Sequence, residues 1–266
     1  MMMPEIWVAV AAAFLGMAAV AGGLSMLAVR GLWDAVAIGA RVAALAALVV
    51  ALIAAAMAQG QWTAADPRQA MLSLVAAMVA VHLLLAWRLA ASAGPMIDIV
   101  ALVLSLVSVF AIRAGAPSSI CVQQAFLLQA HWVLCSLGGG SVLVAGCAAL
   151  MLAFRKGLAW RGKDLQLPGW IPLYGLLTQA TMLALVALGG GLIIGVWWVW
   201  GTSGTMVGGN AREVWMAVAW LTAAMSVLAW QLEGHRSRWV AGLALVAAAA
   251  VLVGLLFPAD LSSMGI

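Results

Sequence analysis

The chain has 266 residues, of which 67% are hydrophobic and 8% are charged, and its mean hydropathy is +1.17. So few polar residues cannot cover so apolar a chain in water, which excludes a soluble globular domain. The net charge of +4 comes from dispersed basic residues with no stripe of interleaved aromatic residues, which excludes a nucleic-acid-binding surface.

Eight apolar segments follow one another along the chain, and each has about the 20 residues that a helix needs to cross a bilayer. They lie near residues 6–29, 36–59, 69–87, 94–112, 132–154, 169–196, 214–232 and 239–257. Backbone groups in lipid must pair within their own segment, and these continuous runs lack the alternation of barrel strands. The sequence predicts an all-α bundle of about eight transmembrane helices, forming one polytopic membrane domain over residues 1–266.

Basic residues are divided unequally between the two sides of this bundle. With the N-terminus outside, the outer side holds Arg68, Arg113 and Arg212. The inner side then holds Arg30, Arg41, Arg88, Arg155, Lys156, Arg161, Lys163, Arg236 and Arg238. Cytoplasmic loops carry an excess of lysine and arginine, so this division predicts that both termini face out.

His82 lies within the third span, in the sequence VAAMVAVHLLLAW. Ionisable groups inside spans are rare and usually functional or paired, so His82 is a candidate for contact with a cofactor or a quinone. The alternative is a neutral structural histidine that bonds to a carbonyl or hydroxyl of a neighbouring helix. Asp98 is expected at the inner interface near Arg88, without a special role.

His131 lies where the fifth span is expected to enter the membrane. The preceding segment, APSSICVQQAFLLQA (116–130), has mixed polarity and a helix-start pattern, and it predicts a separate surface helix at the outer interface. A histidine at such a helix end is a candidate ligand. The alternative is a histidine that simply bonds to water or to a neighbouring loop.

Glycines recur inside the fifth and sixth spans, in the triplets 138–140 and 189–191, and Gly191 and Gly195 have GxxxG spacing. Such glycines favour close packing of the two helices. They would also leave room for a flat cofactor.

Tryptophans bracket the polar, glycine-rich segment between the sixth and seventh spans. The sixth span ends, and the seventh begins, with Trp197, Trp198, Trp200 and Trp215. An aromatic belt at headgroup depth explains tryptophans at one level. Flat side chains beside a glycine-rich loop also suit a planar ligand such as a porphyrin. Arg212 in this segment can pair with Glu213 or with an anionic group of such a ligand.

Residues 117–266 resemble the cytochrome c assembly protein family, of the CcsA, CcmC and HemX type. The outer loop of that family carries the motif WGxxWxWDPKExW, which Trp200-Gly201 match at its start and REVW (212–215) matches at its end. LIIGVWWVWG (192–201) is similar to the approach LxTGxxWAxxxWG of the family.

The segment QAHWVLCSLGGGSVLVAGCAALMLAF (129–154) is similar to the fifth helix of that family, which begins with a haem-binding histidine. The resemblance implies that His131 ligates haem iron and that the loop 197–215 forms a docking shelf. The residues implied around the haem are Trp198, Trp200, Arg212 and Trp215. His82, at the depth of the inner histidine of the family, is the further cofactor candidate.

By this resemblance the protein handles haem and presents it at the outer face of the bacterial inner membrane, as part of a haem lyase system. A partner membrane protein and a c-type cytochrome are the implied partners, besides the bilayer. The alternative is a non-catalytic transmembrane subunit of a larger respiratory or photosynthetic electron-transfer complex that keeps the fold. The second outer histidine of the family falls on Ser262 and its aspartate on Asn210, which favours that alternative.

Overall fold

The computed structural model of the protein describes residues 4–27, 30–59, 67–86, 93–110, 122–160, 169–203, 211–234 and 238–256. These ranges form eight α-helices and no strand. The helices are α1 (Pro4–Leu27), α2 (Arg30–Gln59), α3 (Pro67–Ala86), α4 (Gly94–Phe110), α5 (Val122–Trp160), α6 (Trp170–Ser203), α7 (Ala211–Glu233) and α8 (Arg238–Leu256). The predicted all-α bundle is confirmed.

Seven of these eight described helices are apolar and long enough to span a membrane, and α4 is the shorter one, with 17 residues. A helix of that length covers about 25 Å, somewhat less than the roughly 30 Å hydrocarbon core of a bilayer. α4 packs against α1 and α3. The protein is therefore a multi-pass membrane protein, as predicted.

α5 lies at the centre of the bundle, where it packs against α3, α6 and α8. Most of its length is buried, whereas fewer residues of α6 and α7 are buried. α5 runs without a break from Val122, so residues 122–130 are not a separate surface helix but the first turns of the fifth helix. Residues 116–121 lie outside the described part of the chain.

Consecutive glycines let the backbone of α5 approach its neighbours. A Cβ on Gly138 would lie 2.7 Å from the backbone nitrogen of Leu188 in α6. A Cβ on Gly140 would lie 2.6 Å from the backbone nitrogen of Met78 in α3. Because these contacts are to backbone, only glycine permits the observed helix separations. The prediction that the glycines pack α5 against α6 is confirmed, and the triplet also seats α3.

We expect Gly140→Ala to lower the thermal unfolding midpoint of the purified protein, measured by tryptophan fluorescence in a mild detergent. The new methyl group would press on the α3 backbone, and overpacking of this kind costs about 1–3 kcal/mol. Gly16→Ala is the matched control, since no atom lies within 4 Å of a Cβ built there. The control is expected to keep or slightly raise the midpoint, because alanine is favoured over glycine within a helix by roughly 0.5–1 kcal/mol. Equal midpoints for both variants would contradict the packing described above.

α5 and α6 pack against each other in opposite directions, and the contacts at the two ends of this pair are far apart along the helices. At one end His131 of α5 lies against Gly195 of α6, and at the other end Arg155 of α5 lies over the ring of Trp170 of α6. The helix between His131 and Arg155 is about 36 Å long at 1.5 Å per residue. A bilayer core is about 30 Å thick, so this stretch is long enough to reach from one membrane boundary to the other.

Two of the basic residues assigned to the membrane sides are buried. Arg41 lies inside α2, about 16 Å from the start of that helix, and is 1% exposed. It is therefore no interfacial anchor, and setting it aside leaves eight inner basic residues against three outer ones. Arg68 of α3 pairs with Glu5 of α1 at 2.9 Å, which places the starts of these two helices at the same end of the bundle, as alternate spans require.

Candidate functional site

His131 is bound across the α5–α6 interface. Its Nδ1 atom lies 2.7 Å from the carbonyl oxygen of Gly191. A carbonyl oxygen can only accept, so Nδ1 carries a proton and donates it, which leaves the lone pair of the neutral ring on Nε2. Histidines that ligate metals are commonly oriented in this way, by donating the other ring N–H to a backbone carbonyl. His131 is thus half-buried, and the ring nitrogen that carries the lone pair, Nε2, lies 3.8 Å from the thiol of Cys135.

The GxxxG pair of α6 makes this approach possible. A Cβ on Gly195 would lie 2.7 Å from Cε1 of His131, and a Cβ on Gly191 would lie 2.7 Å from Sγ of Cys135. His131 and Cys135 are one turn apart on α5, and the thiol lies 3.7 Å from Nδ1 of the imidazole. Two glycines one turn apart on α6 thus form a groove that receives two side chains one turn apart on α5.

The structure separates the tryptophans at the end of α6. Trp198 lies three residues beyond Gly195, on the face of α6 that meets α5, and is half-buried. Trp200 is 58% exposed on a different face, as is typical of an aromatic belt. Of these two predicted site residues, Trp198 therefore lies on the side of His131 and Trp200 lies at the outer surface of the bundle.

The other predicted haem-site residues, Arg212 and Trp215, lie in the first turns of α7. Trp215 packs on α8, because a Cβ on Gly254 would lie 2.9 Å from its Cβ atom. Arg212 is half-buried in the same turn. The neighbouring Glu213 lies within electrostatic range of Cys135, so this turn approaches the His131 end of α5. Trp215 therefore packs against α8 and lies at the same end of the bundle as His131.

The segment predicted as an outer loop, 197–215, is largely helical. Residues 197–203 complete α6, and residues 211–215 form the beginning of α7. The intervening residues 204–210, with Asn210 among them, lie outside the described part of the chain. A hydrogen bond links α7 to α6: Nε1 of Trp220 donates to the carbonyl oxygen of Leu185 at 3.0 Å.

His82 does not share a site with His131. α3 runs beside α5 in the same direction, since Ser73 lies 2.9 Å from Ser136 and Met78 lies beside Gly140. His82 therefore lies beside a part of α5 that is about 20 Å from His131 along the helix axis, at 1.5 Å per residue. One ligand group cannot bridge the two histidines, so the predicted cofactor residues fall into two separate places.

The surroundings of His82 are fully buried. His82 is 0% exposed, and within the described part of the chain neither ring nitrogen has a hydrogen-bond partner. The prediction of a structural histidine bonded to a neighbouring helix is therefore wrong for the described residues. The guanidinium of Arg41 lies within electrostatic range of the ring. His82 is thus part of a buried polar group at the end of the bundle away from His131.

Arg41 and Asp98 form the centre of this buried polar group. Nε of Arg41 donates to Oδ1 of Asp98 at 2.9 Å, and Nη2 donates to Oδ2 at 2.8 Å. Asp98 is 1% exposed and paired, so the expectation that it has no special role is wrong, whereas its expected neighbour Arg88 lies outside the described residues. Gly94 lies directly under the guanidinium, where a Cβ would overlap Nη2. Sequence reasoning missed this pair, although each charge stands alone inside an apolar span.

The donors at each place limit the cofactors they suit. Among the described residues, no cluster of three or more His, Cys, Asp or Glu side chains could hold a metal ion. Haem needs fewer ligands from the protein than a free metal ion does. The macrocycle supplies four ligands to the iron, and the chain supplies one or two. Nε2 of His131 fits one axial position. Ser262, where the family has its second histidine, lies outside the described residues.

In comparisons with known proteins, no protein-family model and no curated protein matches this chain. The resemblance to the cytochrome c assembly proteins therefore rests on short motifs, namely the segment that begins at His131, Trp200-Gly201 and REVW (212–215).

Proposed function

We propose that the protein binds haem at one face of the membrane and presents it for attachment to a c-type cytochrome. The observation that carries this proposal is the hydrogen bond from Nδ1 of His131 to the carbonyl oxygen of Gly191, which puts the lone pair that would ligate iron on Nε2, beside the Cys135 thiol. Bound haem would supply an iron centre and two vinyl groups for thioether formation. The chain itself would hold the iron and orient the ring.

Three further residues support binding of a flat, anionic macrocycle at this end. Trp198 offers a half-buried aromatic ring one turn beyond Gly195, and Trp215 opens the neighbouring α7. Arg212, in the first turn of α7, has the charge and planar geometry to pair with a propionate. Trp200 serves in this proposal as a membrane-boundary residue, since its ring faces outward.

The depth of His131 supports presentation at a surface. The distance along α5 from His131 to the Arg155–Trp170 contact is enough to cross a bilayer, which supports a position of His131 near one boundary, within reach of the aqueous side. The basic residues, eight against three once Arg41 is set aside, favour the outer side for His131. The proposal accordingly places the protein in a bacterial inner membrane, with a partner membrane protein and a c-type cytochrome as the acceptor.

Titration of the haem-free protein with hemin in detergent tests this proposal. We expect a saturable Soret shift at one haem per chain, with parallel quenching of tryptophan fluorescence, because Trp198 and Trp215 flank the site. Protein-free micelles serve as the control for hemin that merely partitions into detergent. A linear, unsaturable signal equal to that of the micelles would contradict haem binding.

The alternative function, a haem-free subunit of a larger electron-transfer complex, is favoured by a different observation. α6 and α7 are less buried than α5 and have exposed apolar faces, with Val186, Ile193 and Leu221 among the exposed side chains. Such faces suit neighbouring transmembrane helices as well as lipid. Isolation in a mild detergent of a haem-free protein within a complex of fixed stoichiometry would favour this alternative over haem presentation.

A further inference from the structure

The buried polar group of His82, Arg41 and Asp98 takes its side chains from three helices. His82 belongs to α3, Arg41 to α2 and Asp98 to α4, and their exposed fractions are 0%, 1% and 1%. α1 also reaches the group, because a Cβ on Gly22 would lie 3.4 Å from Nη2 of Arg41. Four helices thus meet around polar side chains that are buried inside the bundle.

The hydrogen bonds of this group are unevenly shared. Nε of Arg41 donates to both carboxylate oxygens of Asp98, at 2.9 and 3.1 Å, and Nη2 donates to Oδ2 at 2.8 Å. Across the described ranges, neither Nδ1 nor Nε2 of His82 has a hydrogen-bond partner. Buried polar groups are generally paired with protein atoms or with ordered water, because an unpaired one is costly. A neutral imidazole therefore requires a partner that donates to one nitrogen and accepts from the other.

The charge and the space around the group define this partner. The positive charge of Arg41 and the negative charge of Asp98 balance, so a neutral molecule is favoured over an ion. The room is small, since a Cβ on Gly94 would overlap the guanidinium and a Cβ on Gly22 would contact it. Water is the smallest neutral molecule that both donates and accepts hydrogen bonds, and it meets both conditions.

We propose that the buried polar group is a binding site for water, held between the ring of His82 and the pair of Arg41 and Asp98. Water donates to one ring nitrogen of His82 and accepts from the other. The guanidinium offers it a further donor, because the bonds to Asp98 use only Nε and Nη2. A buried water typically makes about three hydrogen bonds of this kind. The water joins α3 to α2 and α4, and the proposal does not depend on haem binding.

X-ray radiolysis, which makes hydroxyl radicals from water, tests this site. Radicals formed from a bound water modify the buried side chains beside it, and mass spectrometry locates each modification. We expect His82 to be modified readily although it is fully buried. Met71 is the matched control, because it lies on the same helix and is only 5% exposed. Methionine is the more reactive side chain, yet Met71 should stay largely unmodified.

The oxygen isotope of the modification separates held water from bulk solvent. After rapid mixing with water of the heavy oxygen isotope, a held water still gives the light isotope to His82, whereas bulk solvent gives the heavy one at once. The heavy isotope on His82 from the first measurement would overturn the proposal. Modification of His82 no greater than that of Met71 would overturn it as well, since the partner of the ring would then be a protein group.

Removal of the ion pair tests its part in holding the water. In Arg41→Met with Asp98→Leu, modification of His82 should fall about tenfold, because a buried water needs several polar partners. Ser73→Ala is the matched control, since it removes a buried hydroxyl of α3 that bonds to Ser136 instead. Equal falls in both variants, or no fall in the double variant, would overturn the site. The comparison of His82 with Met71 needs no variant, so it decides the proposal even where the double variant does not fold.

Discussion

Replacement of Asp98 with alanine is expected to destabilise the protein by about 3–5 kcal/mol, because it leaves the buried charge of Arg41 without its partner. Arg41 is 1% exposed and lies against Gly94, so its side chain has no short route to water. The measurement is the thermal unfolding midpoint, together with the fraction of folded protein recovered after size-exclusion chromatography. Arg41→Met is expected to have a similar effect, since it leaves the Asp98 carboxylate alone.

The double variant Arg41→Met, Asp98→Leu is the decisive control for this expectation. Removal of both charges leaves neither one buried and unpaired, and replacement of a buried ion pair by apolar residues is often neutral or stabilising. We therefore expect the double variant to recover most of the stability that each single variant loses. Additive losses in the double variant would contradict this account.

Loss of haem binding in His131→Ala is the second large expected effect. The variant lacks the imidazole that would bind the iron, so we expect its affinity for hemin to fall by more than about 100-fold. Mutations that only disturb the orientation of a metal ligand typically cost about 10–100-fold. Gly195→Ala should fall within that smaller range, since its methyl group would push on Cε1 of His131. The hemin titration with Soret detection measures both variants. Equal affinity of His131→Ala and the unchanged protein would remove His131 as the ligand.

Two controls separate ligation from folding in this experiment. Addition of free imidazole to His131→Gly should restore the Soret shift if the ring acts as an iron ligand, whereas a merely structural histidine would not be rescued spectroscopically. His235→Ala, in the segment between α7 and α8, should bind hemin as well as the unchanged protein does.

The spans were predictable because each requires only a long apolar run, which is a local property of the chain. The position at which the fifth helix begins was not predictable in this way. The glutamines before His131 suggested a separate surface helix, but no proline or glycine interrupts the chain between Val122 and His131. Polar residues at a membrane boundary do not break backbone hydrogen bonds, so the helix simply continues.

The ion pair of Arg41 and Asp98 depends on a contact between residues 57 positions apart, which local patterns do not report. A signal was nevertheless present. A basic and an acidic residue each stood alone within an apolar span, and charges inside a bilayer generally pair with one another. Both residues were assigned to the membrane boundary instead, because each lay near the end of its predicted span.

His131 was predictable as a candidate through the motif around it, but its orientation was not. The direction of the ring follows from Gly191 and Gly195 on another helix, and close helix approach is a tertiary property. The different exposures of Trp198 and Trp200 follow from helical periodicity once α6 is known to continue to Ser203. The sequence alone indicated a loop there, which carries no such periodicity.

The contacts of α5 also constrain how this chain can change in length. His131 faces α6 near one end of the helix, while Gly138 and Gly140 fit against α6 and α3 further along. Each residue turns an α-helix by about 100°, so one residue inserted between His131 and Gly138 would rotate the histidine away from Gly195 or the glycines away from their neighbours. Substitutions are tolerable in that stretch wherever a side chain faces lipid, but insertions and deletions are not. The helical phase between these positions is therefore fixed, even where the identity of the intervening residues is free.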